Sequence, residues 1–375
     1  MLLEIAGAPV MCHVLCRTAE EALGVRTEDI RLAFCNRCTH IWNQAFDPDA
    51  VRYTQNYDNS QQASPCFRAY LAALAKGLVE RYGLQGKTVV EIGCGQGEFL
   101  KLLCESGVGR AIGFDPAFVP PWRDEATQGR VEVIRDEYSE KYVGQRAAFV
   151  CSRHVLEHLA RPGDLLGTVR RALERSGGGG VFFEVPDAGD IVRGGGVWDI
   201  MYEHCSYFSN RSLVWALAES GFDVVRSRRL FGDQYLGVEA SAGAAAVGRS
   251  RLARREAAQV WAAKLSERFR RKDEYWRRRL DHFERGARRV VVWGAGSKGV
   301  MFLNRLKGHG RIRYAVDLNP RKQGKYVPGT GTRIMPPEWL RAYRPHVVVA
   351  MNRIYRREIA DKLRSLGLAS EVLNA

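Results

Sequence analysis

Between residues 66 and 245, short apolar runs alternate with stretches of helical periodicity, and glycine or polar residues punctuate each change. The runs at 87–92, 111–115, 131–136, 148–152, 181–185, 222–226 and 235–240 predict seven strands. Helical segments between the first five predict a parallel, doubly wound α/β sheet. Only residues 227–234 separate the last two, which predicts an antiparallel hairpin at the end of that sheet. Ahead of the first strand, Phe67, Tyr70, Leu71, Leu74 and Leu78 recur at helical spacing. A second α/β unit opens at 289–293, with further strands at 314–317 and 347–351; its length of about 90 residues suits half a Rossmann fold. The expected division is 1–65, 66–245, a helix within 246–285, and 286–375.

Composition adds exclusions. A chain of 375 residues with 46% apolar content is globular and has room for several cores. No run of 18 apolar residues exists, so no membrane span is expected. The first residues lack a basic segment followed by an apolar core, so no secretory signal is expected and the protein reads as cytoplasmic. The formal charge is +15, but residues 249–289 hold 13 arginines and 2 lysines against 6 acids. Trp261, Phe269, Tyr275, Trp276 and Phe283 are spaced through that stretch. A basic linker helix accounts for it as well as a nucleic-acid patch does; no nucleic-acid or membrane partner is expected, and the chain is expected as a monomer or weak homo-oligomer.

Four of the nine cysteines fall close together, as Cys12-x3-Cys16 and Cys35-x2-Cys38. Two thiolate pairs can close a tetrahedron around Zn(II), and four protein ligands would make the site structural. His13 or His40 can stand in for one thiolate. The bland alternative is reduced, buried cysteines.

The first strand of the long α/β unit runs into Glu91-Ile-Gly93-Cys-Gly95-Gln-Gly97. A carboxylate on the strand end and glycines at every second position suit S-adenosylmethionine, a sulfonium with an ammonium and a carboxylate, better than a pyrophosphate. The second strand ends at Asp115, placed to take ribose hydroxyls, and the third at Asp136, placed to accept from an adenine amino group. After the fourth strand come His154 and His158, four apart and expected on one face of a helix, with at least one bordering the pocket. The segment Tyr202-Glu203-His204-Cys-Ser-Tyr-Phe-Ser209 follows the fifth strand; a histidine held by a neighbour can act as a general base. Residues 53–60, with Tyr53 and Tyr57, read as a lid or a linker. In the last unit Gly294-Ala-Gly296-Ser-Lys298-Gly299 precedes a helix, with Asp317 at the end of the next strand, a dinucleotide-like pattern that can hold a phosphate.

The three strand-end acids resemble those of class I S-adenosylmethionine-dependent methyltransferases. The order of a cysteine-rich module, that core with Tyr202–Ser209, and a C-terminal unit with Lys322-Gln-Gly-Lys-Tyr-Val-Pro-Gly-Thr330 resembles the zinc-containing sugar C-methyltransferases. That resemblance implies S-adenosylmethionine as cofactor and structural zinc on Cys12, Cys16, Cys35 and Cys38. It implies proton removal beside a ketone on a nucleotide-linked deoxysugar in natural-product biosynthesis. His204 is then the base, with Glu203, His158, Tyr202 and Tyr57 (or Tyr53) assisting. Cofactor contacts carry over to Tyr57, Glu91, Gly93, Gly95, Gly97, Asp115, Asp136 and His154. The C-terminal unit then holds the substrate's nucleotide. The family's segment reads Tyr-His-Glu-His, whereas this chain has Met201-Tyr202-Glu203-His204. The alternatives are methyl transfer to oxygen, nitrogen or carbon of another small metabolite, an NAD-dependent oxidoreductase working through Gly294–Gly299, and a nucleic-acid binder.

Overall fold

A computed structural model describes residues 2–120, 127–193, 195–242, 256–310 and 312–375. Three sheets organise the chain. Near the N-terminus, β1 (Leu3–Pro9), β2 (Thr27–Phe34) and β3 (Ile41–Asn43) pair antiparallel, with α1 (Ala19–Leu23) in the connection between β1 and β2. Helix α2 (Pro65–Tyr82) follows, capped by the Ser64 hydroxyl and ended by left-handed Gly83. It buries Phe67, Leu71, Leu74 and Leu78 along one face, as their spacing predicts.

The central sheet contains β4 (Thr88–Ile92), β5 (Arg110–Phe114), β6 (Val131–Ile134), β7 (Phe149–Arg153) and β8 (Gly180–Pro186). Helices α3 (Glu98–Glu105) and α4 (Pro162–Arg175) make crossovers, and α5 (Ala188–Arg193) lies beyond β8. The short β9 (Ser206–Tyr207) leaves this unit and pairs with β3, stitching the first sheet to the loop after β8. After α6 (Asn210–Glu219), β10 (Asp223–Leu230) and β11 (Tyr235–Ser241) form the expected antiparallel hairpin. The strand order is β10-β11-β8-β7-β4-β5-β6. This is a seven-stranded, doubly wound sheet with its switch point between β4 and β7, and its strand order is that of the class I methyltransferase fold. Ligand crevices open at the carboxyl ends of strands at such a point.

Helix α7 (Glu256–Arg285) is amphipathic rather than solvated on all sides. Leu265, Phe269, Trp276, Leu280 and Phe283 are buried, whereas Tyr275 is exposed. They share one core with Ile5, Ile30 and Leu32 of the first sheet and with Phe302 and Val292 of the last unit. Residues 246–255 of the expected helix stretch lie outside the described residues, as does the side chain of Trp261. The last unit is a five-stranded parallel sheet. It comprises β12 (Val290–Trp293), α8 (Ser297–Arg305), β13 (Tyr314–Val316), β14 (Arg333–Met335), α9 (Leu340–Tyr343), β15 (Val347–Ala350), α10 (Arg356–Ser365) and β16 (Glu371–Asn374). Its order is β14-β13-β12-β15-β16. No described helix is long and apolar enough to cross a membrane.

Candidate active site

A cavity of about 720 Å³ opens at the carboxyl ends of the central strands. Its wall takes residues from all three sheets' units: His13 and Tyr57, Glu91 and Asp115, His158 and His204, and Gly296 and Lys322.

The turn after β4 forms the first part. Gly93, Gly95 and Gly97 all have positive φ, at 73°, 58° and 87°. A Cβ on Gly93 would also stand 2.1 Å from Val155 Cγ2, so this position requires glycine. Gly93 and Gly95 line the cavity, while Gly97 caps α3. Asp115, just past β5, accepts from Gly95 N–H at 2.8 Å and from Ala117 N–H at 2.8 Å. Burial raises its pKa, and those two donors work against the rise. Glu91 is buried; burial pushes it up to about 8, and Arg153 at 3.7 Å pulls the other way. One Glu91 oxygen, Oε2, has no hydrogen-bond partner among the described residues. Asp136 stands at the cavity rim, where hydrogen bonds from Tyr142 and Lys141 lower its pKa to about 2. The group carries an excess of acids toward its ligand, as a sulfonium and ammonium require.

The chain past β7 does not form the α-helix expected for His154 and His158. His154 has φ 56°, and a single 3-10 turn, Leu156–His158, follows. The left-handed residue lets His154 sit 3.2 Å from both Glu157 and Glu184. Burial works to lower its pKa, but bonds to the two carboxylates outweigh that and raise it to about 9. His158 points to a different group. Its Nδ1 meets the Tyr53 hydroxyl at 2.8 Å and the Glu203 carbonyl at 3.1 Å. His158 and His204 have ring centroids 4.9 Å apart. Burial lowers His158 to about 4 and His204 to about 3, so both imidazoles are neutral at working pH. Both lie on the cavity wall.

Glu203 lies behind that wall and is fully buried. Its carboxylate accepts from Cys12 N–H and faces the Tyr57 hydroxyl. Burial raises it to about 7, against those donors. Tyr53 and Tyr57, edge to face at 5.0 Å, close this side of the cavity, so residues 53–60 form a wall. Tyr202 is not brought to the cavity. Its hydroxyl accepts from Asp47 N–H at 2.8 Å and donates to the Ala45 carbonyl at 3.3 Å, packed against Phe46.

The four cysteines do not fit a zinc site. The register pairs Leu3 with Leu32 and Pro9 with Thr27. Cys12 therefore follows one end of the β1–β2 ladder and Cys35 the other, with a ladder of about 20 Å between those ends at roughly 3.3 Å per residue. Cys12 sits beside Glu203 and Lys322, and the Cys16 carbonyl accepts from Tyr326 N–H. Cys35 and Cys38 remain close together, each thiol influencing the other's pKa. His40 packs against Phe208 and Trp42. Among the described residues, the group of three ligand-type side chains close enough to share an ion is instead Glu157, His158 and His204.

The far wall belongs to the last unit. Gly294 has φ 109°, and a Cβ on Gly299 would meet the Gly294 carbonyl at 2.0 Å. Asp317 accepts from Ala295 N–H at 2.8 Å and Asn319 N–H at 2.9 Å. Sequence reasoning named His13 only as a stand-in zinc ligand and Lys322 only as the start of a motif, and placed neither at the cavity, which they reach from the loops after β1 and β13. The signal for each was only its place beside a motif already singled out, Cys12 and the 322–330 segment.

A family model described as "Methyltransferase domain" matches residues 67–227. Another, "C-methyltransferase C-terminal domain", matches residues 250–369. The C-methyltransferase NovU of Streptomyces niveus is 27% identical, covering 95% of this chain and 87% of that protein. Among solved structures, the 1,6-didemethyltoxoflavin-N1-methyltransferase of Burkholderia thailandensis, with bound S-adenosylhomocysteine, is 18% identical with a TM-score of 0.37. It covers 47% of this chain and 80% of its own. A SAM-dependent methyltransferase from Aquifex aeolicus is also 18% identical with a TM-score of 0.37, covering 53% of this chain and all of its own. With a methyltransferase domain matched onto the central sheet and its acidic glycine turn, the chain is an S-adenosylmethionine-dependent methyltransferase.

Proposed function

We propose that the enzyme methylates a carbon next to a ketone on a nucleotide-linked deoxysugar or a related natural-product intermediate. One observation carries this reading. A single cavity joins the acidic glycine turn, the histidine cluster and the glycine-rich loop of the C-terminal unit. Such a cavity suits an acceptor with a reactive end and a distant anionic end. The C-methyltransferase relative and the C-methyltransferase C-terminal match support the choice of carbon.

In this reading Glu91, Gly93, Gly95 and Asp115 hold the cofactor, with Asp136 at the adenine edge, and Tyr57 and His154 nearby. When bound, S-adenosylmethionine supplies an electrophilic methyl group. His204 takes the proton from the acceptor carbon. It is on the cavity wall and neutral, so it is free to accept. Glu203 cannot reach the acceptor from behind the wall; it positions Tyr57 through the hydroxyl it faces. His158, held by Tyr53, offers a neutral imidazole to the developing enolate oxygen. Residues 286–375 bind the acceptor's nucleotide.

The test is proton exchange. The enzyme is incubated in deuterated water with S-adenosylhomocysteine and a nucleoside-diphosphate-linked keto-deoxysugar. Deuterium should enter the carbon beside the ketone, and His204→Ala should stop it. Methyl transfer from S-adenosylmethionine without any exchange would instead favour an oxygen or nitrogen acceptor.

A further inference from the structure

We propose that Glu157, His158 and His204 form a binding site for a divalent transition-metal ion, and that an ion held there shuts off proton removal. The inhibitory half rests on the reading of His204 as the base. Each of the three side chains offers one ligand atom, and those atoms lie within 4.8 Å of one another. All three residues line the cavity, so an ion has a way in. Two imidazoles and one carboxylate suit zinc, cobalt or nickel rather than magnesium or calcium. Three protein ligands leave a fourth position open toward the cavity. An ion about 2.1 Å from each ligand sets tetrahedral ligand atoms about 3.4 Å apart, so the three side chains would draw in around it.

The groups around the three are arranged as the outer shell of a metal site is. A metal-bound histidine gives the hydrogen of its far nitrogen to a carbonyl or carboxylate, which leaves the near nitrogen free as a ligand. His158 Nδ1 stands 3.1 Å from the Glu203 carbonyl and 2.8 Å from the Tyr53 hydroxyl. A carbonyl only accepts, so Nδ1 carries the hydrogen and Nε2 keeps its lone pair. Glu157 is held in the same way. Its Oε1 meets His154 Nδ1 at 3.2 Å, while Oε2 is buried with no hydrogen-bond partner among the described residues. A buried carboxylate oxygen without a partner is costly, and a cation supplies one. The His204 ring lies edge to face with His158, their centroids 4.9 Å apart, which brings both imidazoles beside one point. A neutral imidazole has a single lone pair in its ring plane. Once His204 gives that pair to an ion, it has none left for the acceptor's proton.

The experiment is titration of the metal-free full chain with cobalt(II), followed by visible absorption, and then displacement of the cobalt by zinc(II). Cobalt on nitrogen and oxygen ligands gives d–d bands without the sulfur-to-metal charge-transfer band that cysteine ligands add. His158→Ala and Glu157→Gln should each weaken this cobalt site by about tenfold or more, since even an outer-shell group is worth that much. S-adenosylhomocysteine should still bind, which shows that both variants fold. In the parent protein zinc should stop deuterium exchange into the keto-deoxysugar, with half-inhibition at the concentration that displaces half the cobalt. No cobalt bands, bands only with sulfur charge transfer, or binding that neither variant weakens would overturn the site. Exchange that continues or accelerates once zinc has displaced the cobalt would overturn the inhibition. Absence of exchange in the metal-free enzyme would instead remove the reading of His204 as the base, and the cobalt titration would still decide the site.

Discussion

Asp115 and Asp317 end the second strands of two separate α/β units, and each accepts hydrogen bonds from the glycine loop beside it and from the residue two positions on. Both loops face one cavity. Around Asp115 the neighbours include Glu91 and Glu98, two partly or fully buried acids; around Asp317 they include Lys322 and Lys298. Lys298 is itself paired with Asp199, so the same backbone device stands among acids on one side and beside Lys322 on the other. Backbone geometry makes a pocket, and the side chains at its rim choose the ligand.

The largest effect expected lies between the two loops. His204→Ala should lower turnover by roughly a hundredfold to ten-thousandfold, the range of a lost general base, with S-adenosylhomocysteine affinity unchanged. Near-normal turnover would remove the histidine from the chemistry. Gly93→Ala should weaken S-adenosylhomocysteine by about a hundredfold, because a left-handed residue is strained and Val155 must move. Asp115→Ala should weaken it by about tenfold or more, the loss of hydrogen bonds to a charged group, while Asp317→Ala should not. Equal losses from the two aspartates would break the comparison. A smaller effect concerns pH. Glu203, raised to about 7, holds Tyr57 best when ionised, so kcat/KM should fall as pH drops through that value. His204 and His158, lowered to about 3 and 4, contribute no limb there. Glu203→Gln should abolish the limb; a limb that survives belongs to another group.

Metal content probes the N-terminal module. Cys12→Ala should leave zinc content unchanged, because Cys12 and Cys35 follow opposite ends of a β1–β2 ladder about 20 Å long. A proportionate loss of zinc would restore the four-thiol site.

The glycine turns were legible because positive φ and close approach demand glycine, and the strands because each was a short apolar run with flanking breaks. The parallel, doubly wound arrangement followed from the helical segments between strands. The cysteine reading failed for a reason the spacing could not show. An antiparallel hairpin sends two motifs to opposite ends, and nothing in Cys12-x3-Cys16 says which end. The helix expected at His154–His158 failed because two carboxylates, Glu157 and Glu184, reward a left-handed residue that periodicity would not admit. Tyr202 was placed in the site by its neighbours Glu203 and His204, but its hydroxyl satisfies backbone groups at Asp47 and Ala45 instead. Lys322 and His13 were named in other roles but not placed at the cavity, because each comes from a loop far along the chain from the residues it joins. β14 (Arg333-Ile-Met) and β16 (Glu371-Val-Leu-Asn) carry only two apolar residues each, so they did not stand out.

The central claim is that the loop at Gly93–Gly97 takes the methyl donor and the loop at Gly294–Gly299 does not take a nicotinamide. Calorimetric titration with S-adenosylhomocysteine and, separately, with NAD+ tests it directly on the parent protein, Asp115→Ala and Asp317→Ala. The account predicts micromolar binding of S-adenosylhomocysteine that only Asp115→Ala weakens, and no binding of NAD+. Binding of NAD+ that Asp317→Ala abolishes, with no response to S-adenosylhomocysteine, would contradict it.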